Sequence, residues 1–227
     1  MNDKSSRHSV RDTAFWQHYA RRRYAMLFYS LLFMLVALPV FDAIGLPEII
    51  IKVLVAASLL LAVLPNATRR SRYIVIAAVL LLIGLRFISE RDDVPIDFGP
   101  VLALYGFTGL LAAAGALRFA IRAPVVDSET VHAALSTYLL AGIFFGIIYL
   151  AIEYMQPGSF SGPDAFTGAS SIYYSFVTLA TLGYGDFLPK SELARGIATF
   201  EVIGGQLYLA VMVARLIGAF GTGSEDS

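Results

Sequence analysis

Six apolar runs, separated by short polar stretches, restrict this 227-residue chain before any fold is considered. They are Tyr24–Phe41, Pro47–Leu64, Tyr73–Ile88, Phe98–Leu117, Ala133–Ile152 and Ile197–Leu216. Each approaches the roughly 20 residues that a helix needs to cross hydrocarbon. In lipid every backbone N–H and C=O must be bonded internally, and runs of this length do so as helices. The composition agrees: 57% of residues are hydrophobic and 15% charged, whereas soluble domains have about 45–50% and about 25%. The fold class expected is an all-α membrane protein of six transmembrane helices.

Several classes of chemistry drop out. The chain has no cysteine, so disulfides, thiolate metal sites and cysteine nucleophiles are absent. Net charge is zero and implies no nucleic-acid partner. Arg21-Arg22-Arg23 before the first run resembles the start of a secretory signal, but that run is long and lacks a small-residue cleavage pattern, so a retained helix is expected. Phe15, Trp16 and Tyr19 among basic residues suit an interfacial helix within segment 1–23.

Loop charges give an orientation. Arginines gather before the first run, after the second (Arg69, Arg70, Arg72) and after the fourth (Arg118, Arg122). The loops after the first and third hold Asp42, Glu48, Glu90, Asp92, Asp93 and Asp97. The positive-inside rule then places both termini in the cytoplasm of a multi-pass protein of the plasma or bacterial inner membrane. Pro124 ends the fourth helix, and Asp127 or Ser128 caps a short connecting helix into the fifth.

One apolar segment breaks the pattern. Gln156-Pro157-Gly158 and Gly162-Pro163 are turn material, and Phe166 to Leu179 follows. As a helix it reaches only about 20 Å, too short for a core about 30 Å thick. It must therefore re-enter, inside protein or beside a water-filled cavity. It delivers the chain to Thr181-Leu182-Gly183-Tyr184-Gly185-Asp186. A pore that strips water from potassium must replace it with oxygens, and successive carbonyls suffice if all point inward. A strand alternates its carbonyls and cannot do this. Glycine admits positive φ, and Gly183 and Gly185 stand at alternate positions. One chain supplies one such segment, so a homotetramer is expected.

Ser171 to Asp186, S-I-Y-Y-S-F-V-T-L-A-T-L-G-Y-G-D, resembles the pore helix and selectivity filter of potassium channels. The likeness continues without a gap: Arg195 and Gly205 fall at the spacing of the simplest bacterial two-helix channels, and Glu201 to Ala210 resembles bacterial members of the two-helix ion-channel family. It covers about Ala133 to Gly218, while the first four runs match six-helix channels only in number and orientation.

The resemblance implies roles. Thr181, Leu182, Gly183, Tyr184 and Gly185 would form the potassium filter, with Leu182 in place of the usual valine. Tyr173, Tyr174, Thr178 and Asp186 would support it, the two tyrosines as an aromatic cuff and Tyr174 hydrogen-bonded to Asp186. Val177 stands where some bacterial channels have a glutamate, so altered filter inactivation is expected. On the sixth helix, Gly204-Gly205 would bend, and Gln206, Leu209, Val213 and Ile217 would face the axis. For the last three, a dewetting gate and packing on the fifth helix stand as equal readings.

Other residues carry two readings each. Glu201, inside a span, is a buried structural hydrogen bond towards the pore helix or a proton-sensing group. Glu153 is a charge at the outer mouth, with Asp164 and Asp186, or a solvated helix end. His132 is a pH switch or an ordinary interfacial histidine. Gly142 and Gly146 are explained by close packing. The fourth run has no arginine from Phe98 to Leu117, so strong voltage gating is not expected.

The domains expected are 1–23, an N-terminal segment; 24–126, a sensor-like domain lacking gating charges; 127–218, the pore domain; and 219–227, a short tail. The function expected is passive potassium conduction by a channel subunit that is not an enzyme. It needs no cofactor, since potassium is the permeant ion. Partners are further copies of the chain, membrane lipid and, for gating, a separate regulatory protein. A transporter's ion-translocating subunit and a non-conducting potassium-binding regulator stand as alternatives.

Overall fold

A computed structural model describes residues 22–37, 40 and 98–221. The second and third apolar runs, the segment before residue 22 and the tail from 222 lie outside the described residues. Within them the chain forms α1 (residues 22–37), α2 (Phe98–Arg122), α3 (Ser128–Met155), β1 (Phe160–Ser161), α4 (Gly168–Leu179), β2 (Leu188–Pro189) and α5 (Glu192–Gly221). Three helices are long and apolar enough to cross a membrane: Gly99–Arg122, Ser128–Met155 and Glu192–Arg215.

One boundary differs from the sequence reading. The connecting helix and the fifth span form a single helix, α3, because Asp127 caps it. Its carboxylate accepts from the Thr130 N–H at 2.8 Å and the Thr130 hydroxyl at 2.7 Å. These bonds hold the Asp127 carboxyl below its ordinary acidity range. The fourth helix continues through Arg118 to Arg122, stopping just before Pro124.

The helices are layered by small residues. In α1 the buried stripe Tyr24, Leu27, Leu31 and Met34 shares a core with Ala113, Ala116 and Ala120 of α2. A Cβ on Gly106 or Gly109 of α2 would meet Ile148 or Phe144 of α3 at 2.6 and 2.0 Å. On the other side of α3, a Cβ on Gly142 or Gly146 would meet Phe176 or Ile172 of α4 at 2.5 and 2.7 Å. Among lipid tails apolar burial gives helices little reason to associate, so close approach at small residues carries the packing. The two glycines of α3 thus seat the short helix on which the candidate site depends.

Contacts at the start of α1 join it to α3. The Tyr24 N–H donates to Glu129 Oε2 at 3.0 Å, placing a carboxylate at a helix N-terminus where the macrodipole favours it. The His132 ring lies 5.9 and 5.7 Å from those of Phe28 and Tyr29, and its Nδ1 is 2.6 Å from the Ser128 carbonyl. This is interhelical packing by an interfacial histidine.

Candidate functional site

The short helix α4 is fixed at both ends. At its start Thr167 and Ser170 form a reciprocal capping box, the Thr167 N–H donating to Ser170 Oγ at 2.6 Å. At its end the chain turns back on it. The Thr181 N–H bonds the Thr178 carbonyl at 2.9 Å, while the N–H groups of Leu182 and Gly183 share the Val177 carbonyl at 2.9 and 3.4 Å.

These bonds set the backbone of the loop. Positive φ occurs at Thr181 (58°), Gly183 (55°) and Gly185 (78°). The glycine pair therefore continues an alternation that begins one step earlier, at a threonine. Left-handed backbone costs a non-glycine residue about 1–2 kcal/mol, and here the bond to Thr178 holds it. Nothing lies within 4 Å of a Cβ built on Gly183 or Gly185, so these positions require glycine for its dihedrals and not for space. Among the described residues no hydrogen bond ends on a carbonyl of Thr181, Leu182, Gly183, Tyr184 or Gly185. All five residues are exposed.

The two tyrosines of α4 divide differently from expectation. Tyr174 does not reach Asp186. It is buried, edge-on to Tyr149 at 5.0 Å, Phe160 at 5.3 Å and Phe166 at 6.1 Å, and its hydroxyl interacts with Thr178. Tyr173 faces the returning loop instead, and a hydrogen-bonding interaction with Asp186 raises its phenol above the usual range. Adjacent helical residues point about 100° apart, so only one of the two can face the loop.

Aromatics outside α4 complete the collar and were missed in the sequence. Phe160 stacks on Phe166 at 4.1 Å, and Phe187 meets Phe166 at 5.7 Å and Tyr173 at 6.4 Å. Phe160 sits on β1, which pairs antiparallel with β2 in the register Phe160 to Pro189 and Ser161 to Leu188. This ribbon joins the chain before α4 to the chain after the loop. Glu153 steadies its entry, accepting from the N–H groups of Gly158 at 2.8 Å and Phe160 at 3.1 Å.

Helix α5 packs beside α4 through its N-terminal half. A Cβ on Gly205 would lie 2.7 Å from Leu179 Cδ1 and 3.0 Å from the Leu179 carbonyl, so Gly205 marks close approach, whereas Gly204 has open space. The helix continues unbroken through both. Gln206, Leu209, Val213 and Ile217 are all exposed. Leu209, Val213 and Ile217 therefore do not pack into the core against α3. Glu201 is buried and hydrogen-bonded to Tyr149 and Ser175. Further down, the Tyr208 hydroxyl donates to the Ala134 carbonyl and the Arg215 guanidinium to the Ala123 carbonyl. The Tyr149, Ser175 and Arg215 contacts carry no spacing signal, since they join residues 52, 26 and 92 positions apart.

The stretch that contains the loop and both flanking helices has known counterparts. Residues 134–221 match the ion channel family. Over 87 residues the chain is 38% identical to the inward rectifier potassium channel Kirbac3.1 of Paramagnetospirillum magnetotacticum, a match covering 37% of this chain and 27% of that protein. Over 74 residues it is 32% identical to a putative potassium channel protein of Rhodopseudomonas palustris, covering 32% and 16%. The chain thus spans about a quarter or less of the relatives it matches. No solved structure matches significantly. These likenesses show that residues 134–221 resemble parts of potassium channels, and the apolar helices support a membrane protein.

Proposed function

We propose that the chain is the pore-forming subunit of a potassium-selective channel that conducts passively as a homotetramer. Carbonyls of Thr181 to Gly185 form the filter, one strand from each of four chains. The observation that carries this reading is the alternation of positive φ at 181, 183 and 185, together with N–H groups turned back into α4. A backbone of alternating handedness can present successive carbonyls to one side, as replacement of a potassium hydration shell requires.

Gln206, Leu209, Val213 and Ile217 line the cavity below, with polar Gln206 nearest the filter and the other three forming an apolar ring that closes by dewetting. Arg118 and Arg122 lie in the last turns of α2, and their place there favours anchoring over voltage sensing. Both termini are cytoplasmic, on the distribution of the loop arginines.

Purified protein in a planar bilayer, with potassium on one side and sodium on the other, tests the reading. Discrete openings that reverse near the potassium equilibrium potential, with open probability nearly flat in voltage, are expected. Currents that reverse near zero overturn the selectivity, and a steep rise with voltage overturns the reading of α2.

A further inference from the structure

Among the described residues, Glu201 is the one charged side chain that is fully buried, at 1% exposure. It lies on α5, and its two oxygens face two other elements. Oε2 accepts from Tyr149 Oη on α3 at 2.5 Å, and Oε1 accepts from Ser175 Oγ on α4 at 2.5 Å. Both donors are themselves inaccessible, at 0% exposure. A single carboxylate therefore joins the outer helix, the pore helix and the inner helix.

The position of this junction matters more than its strength. Ser175 lies two residues before Val177, whose carbonyl holds the N–H groups of Leu182 and Gly183. Tyr149 packs edge-on to Tyr174, the residue of α4 just before Ser175. The carboxylate thus holds the last turns of α4, from whose end the loop backbone is suspended. An apolar side chain would fill this space at lower desolvation cost, since burying a charge is expensive even when it is paired. What an apolar group lacks is two directed acceptors, each demanding a donor at a set place.

We propose that Glu201 is a positioning residue that sets the seat of α4 and, through the Val177 carbonyl, the potassium-discriminating spacing of the 181–185 carbonyls. The inference rests on the potassium-channel reading above. It differs from a packing role because it ties Glu201 to ion selection and not only to stability.

The test compares wild type, Glu201→Leu, Glu201→Gln, Ser175→Ala and the Glu201→Leu/Ser175→Ala double variant, each as the full chain. Bi-ionic reversal potentials in planar bilayers give potassium-to-sodium permeability ratios, and thermal melting gives stability. Glu201→Leu lowers the ratio by roughly tenfold or more, the scale of a lost hydrogen bond to a charged group. Glu201→Gln, which keeps one acceptor and the side-chain volume, falls between. Ser175→Ala lowers the ratio in wild type but adds nothing in the Glu201→Leu background.

Ratios unchanged in every variant that assembles, with melting alone reduced, overturn the proposal. If Glu201→Leu fails to assemble, Glu201→Gln and Ser175→Ala carry the same comparison. A wild-type protein without selective current removes the channel reading and this inference with it. A selective wild type with unaltered variants removes this inference alone.

Discussion

The N-terminal and C-terminal halves of α5, outer and inner on the proposed reading, have the same helical backbone but relate differently to the rest of the chain. In the outer half Ala194, Ala198 and Glu201 are buried, Gly205 touches Leu179, and a carboxylate binds α3 and α4. In the inner half Leu209 is 39%, Val213 53% and Ile217 66% exposed, while Tyr208 and Arg215 hold the helix by single bonds to carbonyls. One chain therefore specifies the geometry around the loop almost completely. On the proposed reading, the inner face is left for other copies of the chain to define. Selection and gating, on the proposed reading, are fixed at different levels of assembly.

The sharpest way to break this contrast is at the loop. Within one chain Gly183→Ala places a methyl group in open space but at φ 55°, so the penalty inside the chain is dihedral, about 1–2 kcal/mol. Selective current is expected to disappear in bilayer recordings, with no loss of assembly by size-exclusion chromatography. If selectivity persists, the loop is not set by its own dihedrals and the contrast fails.

Next in size is the pair on α5. Gly205→Ala forces a Cβ against Leu179 and its carbonyl and is expected to destabilise the protein by about 1–3 kcal/mol, read by thermal melting. Gly204→Ala meets nothing within 4 Å and is expected to raise helix stability by up to about 1 kcal/mol. If Gly204 bends during opening, that variant also lowers open probability. Equal behaviour of the two variants would erase the boundary between the halves.

Legibility in the sequence follows the same division. The short helix α4, the positive-φ glycines of the loop and the small-residue pair Gly142 and Gly146 were readable because each is local, set by length, dihedral demand or helical spacing. The continuation of α3 through its connector was only half readable, since Asp127 was a recognised cap but the separate connecting helix was not needed. The partners of Glu201, the aromatic collar of Phe160 and Phe187, and the clasp by Glu153 were not readable. Each depends on contacts between distant segments that no local spacing encodes. Tyr173 and Tyr174 show the limit well: the motif named both, but only the helix phase determines which of them meets Asp186.

That phase gives a finer test. Tyr173→Phe removes the interaction with Asp186 and is expected to shorten single-channel openings about threefold, whereas Tyr174→Phe leaves Asp186 untouched and acts through its buried cluster. Because Asp186 raises the Tyr173 phenol, the tie is intact below the ordinary tyrosine range near pH 10 and is lost only as pH rises through the raised value. Openings that shorten already near neutral pH would assign the effect to another group.

The smallest expected effect lies at the inner end, where the chain leaves α2 and enters α3. Asp127→Ala removes the cap of α3 and is expected to lower stability by about 1 kcal/mol, while Asp127→Asn stays near wild type because asparagine caps as well. Hydrogen bonds from Thr130 lower the Asp127 carboxyl below its ordinary 3.8, so its contribution is present above that pH and fades as pH falls through the lowered value. Melting curves of wild type and Asp127→Ala should therefore converge in acid. The Arg215 guanidinium bonds the Ala123 carbonyl just ahead of this cap, so a frayed α3 start would loosen the inner half of α5 before it disturbed the loop. Unchanged reversal potential with altered open probability in Asp127→Ala would support that separation of the halves. A shifted reversal potential would show that the two halves are coupled after all.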